Sequence, residues 1–208
     1  MEEGIRHPRG ECRYRCVMGI VEVPGRALPD RSVGRDASLS INVVGAVGTG
    51  PTSLAAFDDA LVSVGVANYN LVRLSSVIPP GTTVTPEPAG VIDLREPRRI
   101  VGSGGWGDRL YAVWAFESAE RFGEEAWAGV AWVQDPSDGR GLFVEHEGRS
   151  EATVREELSA SLLSICTARS LDHLEQHSVV VGTSCEKEPV AALVIAPYMS
   201  EPWGAAPG

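Results

Sequence analysis

The sequence predicts an α+β domain built in layers, and three observations predict it. β-rich runs outnumber helical ones, two amphipathic helices are legible, and the order runs strand, helix, several strands, helix, two strands. A doubly wound parallel sheet would alternate strand and helix regularly, and this chain does not.

The elements can be justified in turn. Residues 1–37 read as a flexible tail, dense in Gly, Pro and charge, as in Pro8-Arg9-Gly10 and Pro29-Asp30-Arg31. Inside it, Cys16–Val23 suits a strand with no evident partner. From residue 38 to 208 the pattern is that of one folded domain. Leu39–Val47 alternates as a strand does, and Gly48, Gly50 and Pro51 end it. Thr52 or Ser53 can cap a helix that carries Leu54, Phe57, Ala60, Leu61 and Val64 on one stripe, with Gly65 as its stop. Asn68–Ile78 is a short β-rich segment broken by Pro79-Pro80-Gly81. Residues 82–107, rich in Pro and Gly, are expected to be mostly loop. Strands are expected at Leu110–Glu117, Ala126–Val133 and Leu142–Glu147. Ser150 can cap a second helix, with Thr153, Val154, Leu158, Leu162, Leu163 and Cys166 on its stripe. Ser178–Gly182 and Val190–Ala196 complete the set as strands.

Composition narrows the function. At 208 residues the chain fits one domain with an ample core. A formal charge of −10 argues against sequence-independent nucleic-acid binding, which needs Lys and Arg to displace counterions. It suits a cationic substrate, and equally the ordinary solubilising role of an acidic surface. No apolar run reaches the roughly 18 residues of a membrane span. The charged start, with Glu2, Glu3 and Arg6, lacks a signal-peptide core, so a cytoplasmic location is expected. Four cysteines in such a chain do not make a disulfide framework. Cys12 and Cys16 near His7 lack further ligands, so no metal is expected. His146 alternates away from Glu145 along its strand, and His173 and His177 have no nucleophile nearby, so all three read as structural.

Chemistry is concentrated between Asn70 and Gly81. The pair Ser75-Ser76 ends an apolar run and is followed by two prolines. On composition alone it is a turn. The whole string, Asn70-Leu-Val-Arg-Leu-Ser-Ser-Val-Ile-Pro-Pro-Gly81, resembles the self-processing site of the pyruvoyl-dependent arginine decarboxylases. Upstream, Phe57-Asp58-x-Ala60-Leu61 with Gly65 and Asn70 resembles that family's first helix and its approach to the cut. Downstream, Leu142-Phe-Val-Glu145-His-Glu147-Gly148 resembles its acidic strand. These matches keep their order over about residues 38–198.

The resemblance implies a sandwich of layers αββα, with antiparallel and mixed sheets flanked by helices. It implies self-cleavage between Ser75 and Ser76, which turns Ser76 into a covalent pyruvoyl cofactor. The activity implied is decarboxylation of L-arginine to agmatine and carbon dioxide by a homo-oligomer, a trimer or a dimer of trimers, with sites between subunits. The chemical need is general. Decarboxylating an amino acid requires an electron sink that no ordinary side chain offers, and a ketone that condenses with the substrate amine supplies it.

Roles carry over residue by residue. Glu145 matches the acid that returns a proton to the substrate's α-carbon, a task for a carboxyl in partly apolar surroundings. Read alone, Glu145 and Glu147 are one exposed strand face. Asn70 matches an asparagine that can donate to the oxyanion of the cleavage step, and alone it is a turn residue. Asp58 matches the carboxylate that faces the guanidinium, and alone it is an acid suited to a helix start. Leu54 and Leu61 can line the substrate's apolar stem or pack the core. Tyr69, with Ala67, departs from the smaller pair usual in the family and can narrow the pocket. The loop 82–107 and the tail depart as well. Two rival readings stay open: the same chemistry on histidine or ornithine, and an unprocessed homologue acting as a binding subunit.

Overall fold

The computed structural model describes residues 14–21, as backbone alone, together with 39–87 and 105–204. Ten strands and two helices are found there: β1 (Tyr14–Val21), β2 (Ser40–Thr49), α1 (Ser53–Ser63), β3 (Asn70–Arg73), β4 (Val77–Ile78), β5 (Thr83–Pro86), β6 (Arg109–Ala119), β7 (Glu125–Gln134), β8 (Gly141–Gly148), α2 (Glu151–Ala168), β9 (Gln176–Ser184) and β10 (Val190–Glu201). They form two five-stranded sheets, ordered β1-β9-β7-β8-β4 and β3-β6-β10-β2-β5. The first is antiparallel throughout; the second is mixed, because β3 and β5 pair parallel to their neighbours. Helix α2 covers the outer face of the first sheet and α1 that of the second, which gives the layers αββα.

Alternation along the strands builds the three cores. On β7, Ala126, Ala128, Val130 and Trp132 face the space between the sheets, whereas Trp127, Ala131 and Val133 face α2. On β10, Val190, Ala192, Val194 and Ala196 fill the same central layer, and Leu193 and Ile195 pack under α1. Both strands are therefore buried on two sides, which explains their nearly continuous apolar runs.

Both helices begin as their caps dictate. The Thr52 hydroxyl accepts from the Ala55 amide, and the Ser150 hydroxyl from the Thr153 amide. Gly65 follows the end of α1 at φ 75°, a conformation that costs glycine little. The helix stripes are narrower than periodicity predicts. In α1 the buried residues are Ala56, Ala60 and Leu61, while Leu54 stands 76% exposed. In α2 they are Val154, Leu158, Leu162 and Cys166, with Thr153 and Leu163 outside. A helix lying on a flat sheet buries only the residues directly beneath it, so those on the flanks of the stripe reach solvent.

Two further differences concern strands. Thr83–Pro86, expected to be loop, forms β5 beside β2. The strand expected at Cys16–Val23 lies at Tyr14–Val21 and pairs antiparallel with β9, so the segment read as a tail contributes backbone to the first sheet. His7, Cys12 and most of residues 1–37 lie outside the described residues. Cys166 and Cys185 are buried free thiols that packing accounts for.

Close packing of α1 on β2 depends on Gly48. A methyl group there would run into the Ala56 carbonyl and the Ala60 amide nitrogen, both backbone atoms that cannot swing aside. Gly48→Ala is expected to destabilise the fold by about 2–3 kcal/mol, the cost of overpacking a closed core. A thermal melt should show a Tm lower by about 4–10 °C for a chain of this size; an unchanged Tm would mean that α1 can lift off β2 freely.

Candidate active site

The segment that the sequence presents as one β-rich run is divided between the two sheets. β3 pairs with β6 in the second sheet, and β4 pairs with β8 in the first. The chain crosses over at Leu74–Ser76. On one side of the crossing the Leu74 amide donates to Ala112 O at 3.0 Å; on the other, the Phe143 amide donates to Ser76 O at 2.8 Å. The Ser75–Ser76 peptide bond is thus strung between two anchored strands.

Ser76 makes the turn with φ 68°, in the left-handed region that side chains other than glycine enter at a cost of about 1–3 kcal/mol. Ser170, just past α2, is the other described non-glycine residue with positive φ, at 56°, and it lies in an ordinary helix-ending position. At Ser76 no helix end calls for the conformation. It is imposed by the switch of sheets and by the anchor on β8.

Glu145 meets Ser76 from β8. The Ser76 hydroxyl lies 2.9 Å from Oε2 and 3.1 Å from Oε1, so it donates to the carboxylate. Phe143 and Glu145 share the strand face that looks toward the second sheet, and Phe143 belongs to the central core. Glu145 therefore sits where that core opens, half-buried. His146, on the opposite face, points to α2 as alternation predicts. Its Nε2 lies 2.7 Å from Ser161 Oγ and its Nδ1 3.4 Å from the Glu157 carboxylate.

Beside this pair is an open cleft of about 330 Å³, lined in part by Ser75, Ser76, Glu145, His146, Ser161 and Arg169. That space suits a small molecule. The surroundings of Ser76 fit its conversion to a ketone. The residue 76 carbonyl is already held by the Phe143 amide, and the side chain faces one carboxylate at the edge of the cleft.

Other expected residues are placed elsewhere within one chain. Asn70 opens β3; its amide donates to Gly107 O at 2.5 Å, an oxygen that Trp203 Nε1 also reaches at 2.8 Å. Tyr69 packs partly buried beneath α1. Asp58 and Leu54 are exposed on α1, and Leu61 is in the core. None of these lines the Ser76 cleft, so a single chain brings together Ser75, Ser76 and Glu145 but not the residues expected to meet the substrate's far end.

Tyr198, on β10, escapes sequence reasoning. Its hydroxyl donates to Val77 O at 3.0 Å, one residue past Ser76, and its ring meets Phe143 edge-on at 6.2 Å. Burial pushes its hydroxyl well above the usual tyrosine range, and the nearby Glu145 carboxylate pushes it further. Tyr198 therefore stays a donor at any working pH and fixes the chain downstream of the crossing. A polar-tipped aromatic residue directly after the apolar run Val190–Pro197 is the one sequence signal of it.

The chain is similar to proteins of one family. A family model described as pyruvoyl-dependent arginine decarboxylase matches residues 40–202, a span that takes in β2 through β10. A pyruvoyl-dependent arginine decarboxylase of Halobacterium salinarum is 35% identical over 163 residues, 76% of this chain and 92% of the relative. One from Methanococcus vannielii is 32% identical over 124 residues, 56% of this chain and 66% of the relative. Another, from Methanocaldococcus jannaschii, is 30% identical over 124 residues, again 56% and 66%. The match runs through both sheets, the strained serine and the carboxylate that it touches, and the chain belongs to the pyruvoyl-dependent arginine decarboxylase family, carboxy-lyases whose cofactor is a covalent pyruvoyl group.

Proposed function

We propose that the chain cuts itself between Ser75 and Ser76 and that the processed enzyme converts L-arginine to agmatine and carbon dioxide. The observation that carries this reading is the Ser76 hydroxyl, held on the Glu145 carboxylate at a strained residue where the chain changes sheets. Relief of that strain favours attack of Ser76 Oγ on the Ser75 carbonyl, and the hydrogen bond to Glu145 holds the hydroxyl in position for it. Anchors on β6 and β8 hold the two sides of the bond in place through the step.

In the processed enzyme the pyruvoyl group supplies the electron sink for loss of carbon dioxide. Glu145, in contact with residue 76 at the edge of the cleft, is assigned delivery of a proton to the substrate's α-carbon. Tyr198 keeps residue 77, and with it residue 76, at a fixed distance from Glu145. Asn70 is assigned the support of the loop at Gly107; a role at the cleavage oxyanion would have to come from a neighbouring copy, because the chain runs extended between Asn70 and Ser75.

Recognition of the guanidinium falls to Asp58, with Leu54 and Tyr69 beside it. Because none of the three lines the cleft of its own chain, a neighbouring copy must bring them, and a trimeric assembly meets that need. Leu54, apolar and 76% exposed, fits a contact between copies. Among the described residues no helix is long and apolar enough to cross a membrane, and we assign the enzyme to the cytoplasm.

Substrate choice tests the assignment. A carboxylate grips a guanidinium with two parallel hydrogen bonds, which an ammonium cannot match. Carbon dioxide release from a panel of amino acids should favour arginine over ornithine, lysine and histidine. Asp58→Asn should cut kcat/KM for arginine by about tenfold or more, the scale of a lost charge-assisted contact. Clear preference for histidine or ornithine would overturn the substrate while leaving the cut intact.

A further inference from the structure

Self-cleavage, on whose reading above this inference rests, changes the charge of the cleft in one direction only. Ordinary hydrolysis of a peptide leaves a carboxylate and an ammonium. Here the Ser76 hydroxyl displaces its own backbone nitrogen from the Ser75 carbonyl carbon, so a C–O bond replaces the C–N bond. Loss of the residue 76 Cα proton then expels Ser75 as a carboxylate and leaves a carbon–carbon double bond. Water converts that unsaturated residue to the ketone and releases ammonia. Ser75 gains a full negative charge, and residue 76 gains no positive one.

The charge appears in a cleft that already holds the Glu145 carboxylate. Two like charges in one site destabilise each other. Two basic residues line the same cleft. His146 is engaged by Ser161 and Glu157. Arg169 caps the end of α2, is exposed, and has no ion-pair partner among the described residues. Ser161, Ile165 and Arg169 follow one another at intervals of four residues, so a single line of α2 faces the crossing, with the cation at its C-terminal end, where the helix dipole favours positive charge.

We propose that Arg169 receives the new α-carboxylate of Ser75 and holds the cut end of the first chain apart from Glu145. The planar guanidinium fork matches a carboxylate in two parallel bonds. Before the cut Ser75 is an amide and offers no charge, so the contact is specific to the processed state. β3 keeps the rest of that chain end in the second sheet, so only the last residues need to turn toward α2. Arg169 is thus a positioning residue, acting on the site through Ser75.

The test compares Arg169→Lys, Arg169→Ala and Arg169→Glu in two backgrounds: the processed protein and a Ser76→Ala precursor that keeps the peptide bond. In the processed protein Tm should fall by about 2–4 °C for Ala, less for Lys and more for Glu. Roughly 0.5 M salt should shrink these differences, as for any partly exposed ion pair. In the precursor only the favourable interaction of Arg169 with the helix dipole is lost, so the shifts should be clearly smaller there. Equal shifts in both backgrounds, or none in the processed protein, overturn the proposal. So does a rise in KM for arginine without a shift specific to the processed state, which would give Arg169 to the substrate instead. Failure of Arg169→Ala to cleave would show that the residue acts before the carboxylate exists, and that too overturns it. A wild-type chain that stays whole on a gel is a different result: it removes the cut itself.

Discussion

Ser76→Ala is expected to leave the chain whole and without decarboxylase activity. The hydroxyl it removes is the one that rests on both oxygens of Glu145 and lies on the nitrogen side of the Ser75–Ser76 bond, from which the acyl group can shift from nitrogen to oxygen; the Ser75 hydroxyl, on the carbonyl side, cannot make that shift. Alanine keeps the backbone at a positive φ with nothing to attack the Ser75 carbonyl, so the strain at that residue persists unused. Intact mass after long incubation should give one species of full length, with no carbon dioxide from arginine. Ser76→Cys should process slowly, because a thiol can undergo the same acyl shift. A Ser76→Ala chain that still cleaves would show that the attacking group lies elsewhere.

Glu145→Gln separates the two steps. Its side-chain oxygen still accepts from the Ser76 hydroxyl, so the serine keeps its orientation and cleavage is expected to survive. The amide cannot deliver a proton as an acid. Turnover of the processed variant should therefore fall by about a hundredfold or more, the usual scale for a lost general acid. Assaying only the cleaved fraction keeps the two effects apart. Wild-type turnover in cleaved Glu145→Gln would remove this carboxylate from the decarboxylation.

Much of the fold was legible because its strands and helices carry strong local signals. β6 to β10 and both helix caps lie where alternation and the residues Thr52 and Ser150 put them. β5 was not legible: Thr-Val-Thr-Pro is only four residues long in a Pro-rich stretch, and it is a strand because β2, some forty residues earlier, lends it a parallel edge. For the same reason, the division of Asn68–Ile78 between two sheets cannot be read from that segment itself. It depends on β6 and β8 as partners. The meeting of Ser76 and Glu145 was expected through resemblance alone, since nothing in either local pattern points across the intervening residues. Tyr198 and Arg169 illustrate what stays hidden. Their spacings fit ordinary strand and helix positions, and only the folded arrangement shows which backbone oxygen or cleft they reach.

The intact mass of the purified wild-type protein tests the account most directly. The chain should resolve into two fragments of 75 and 133 residues (208 − 75), and the larger should resist Edman sequencing because its first residue is a ketone. Its mass should equal that of residues 76–208 with serine replaced by pyruvoyl. A single full-length chain with a free amino terminus, unchanged after prolonged incubation, would contradict the account.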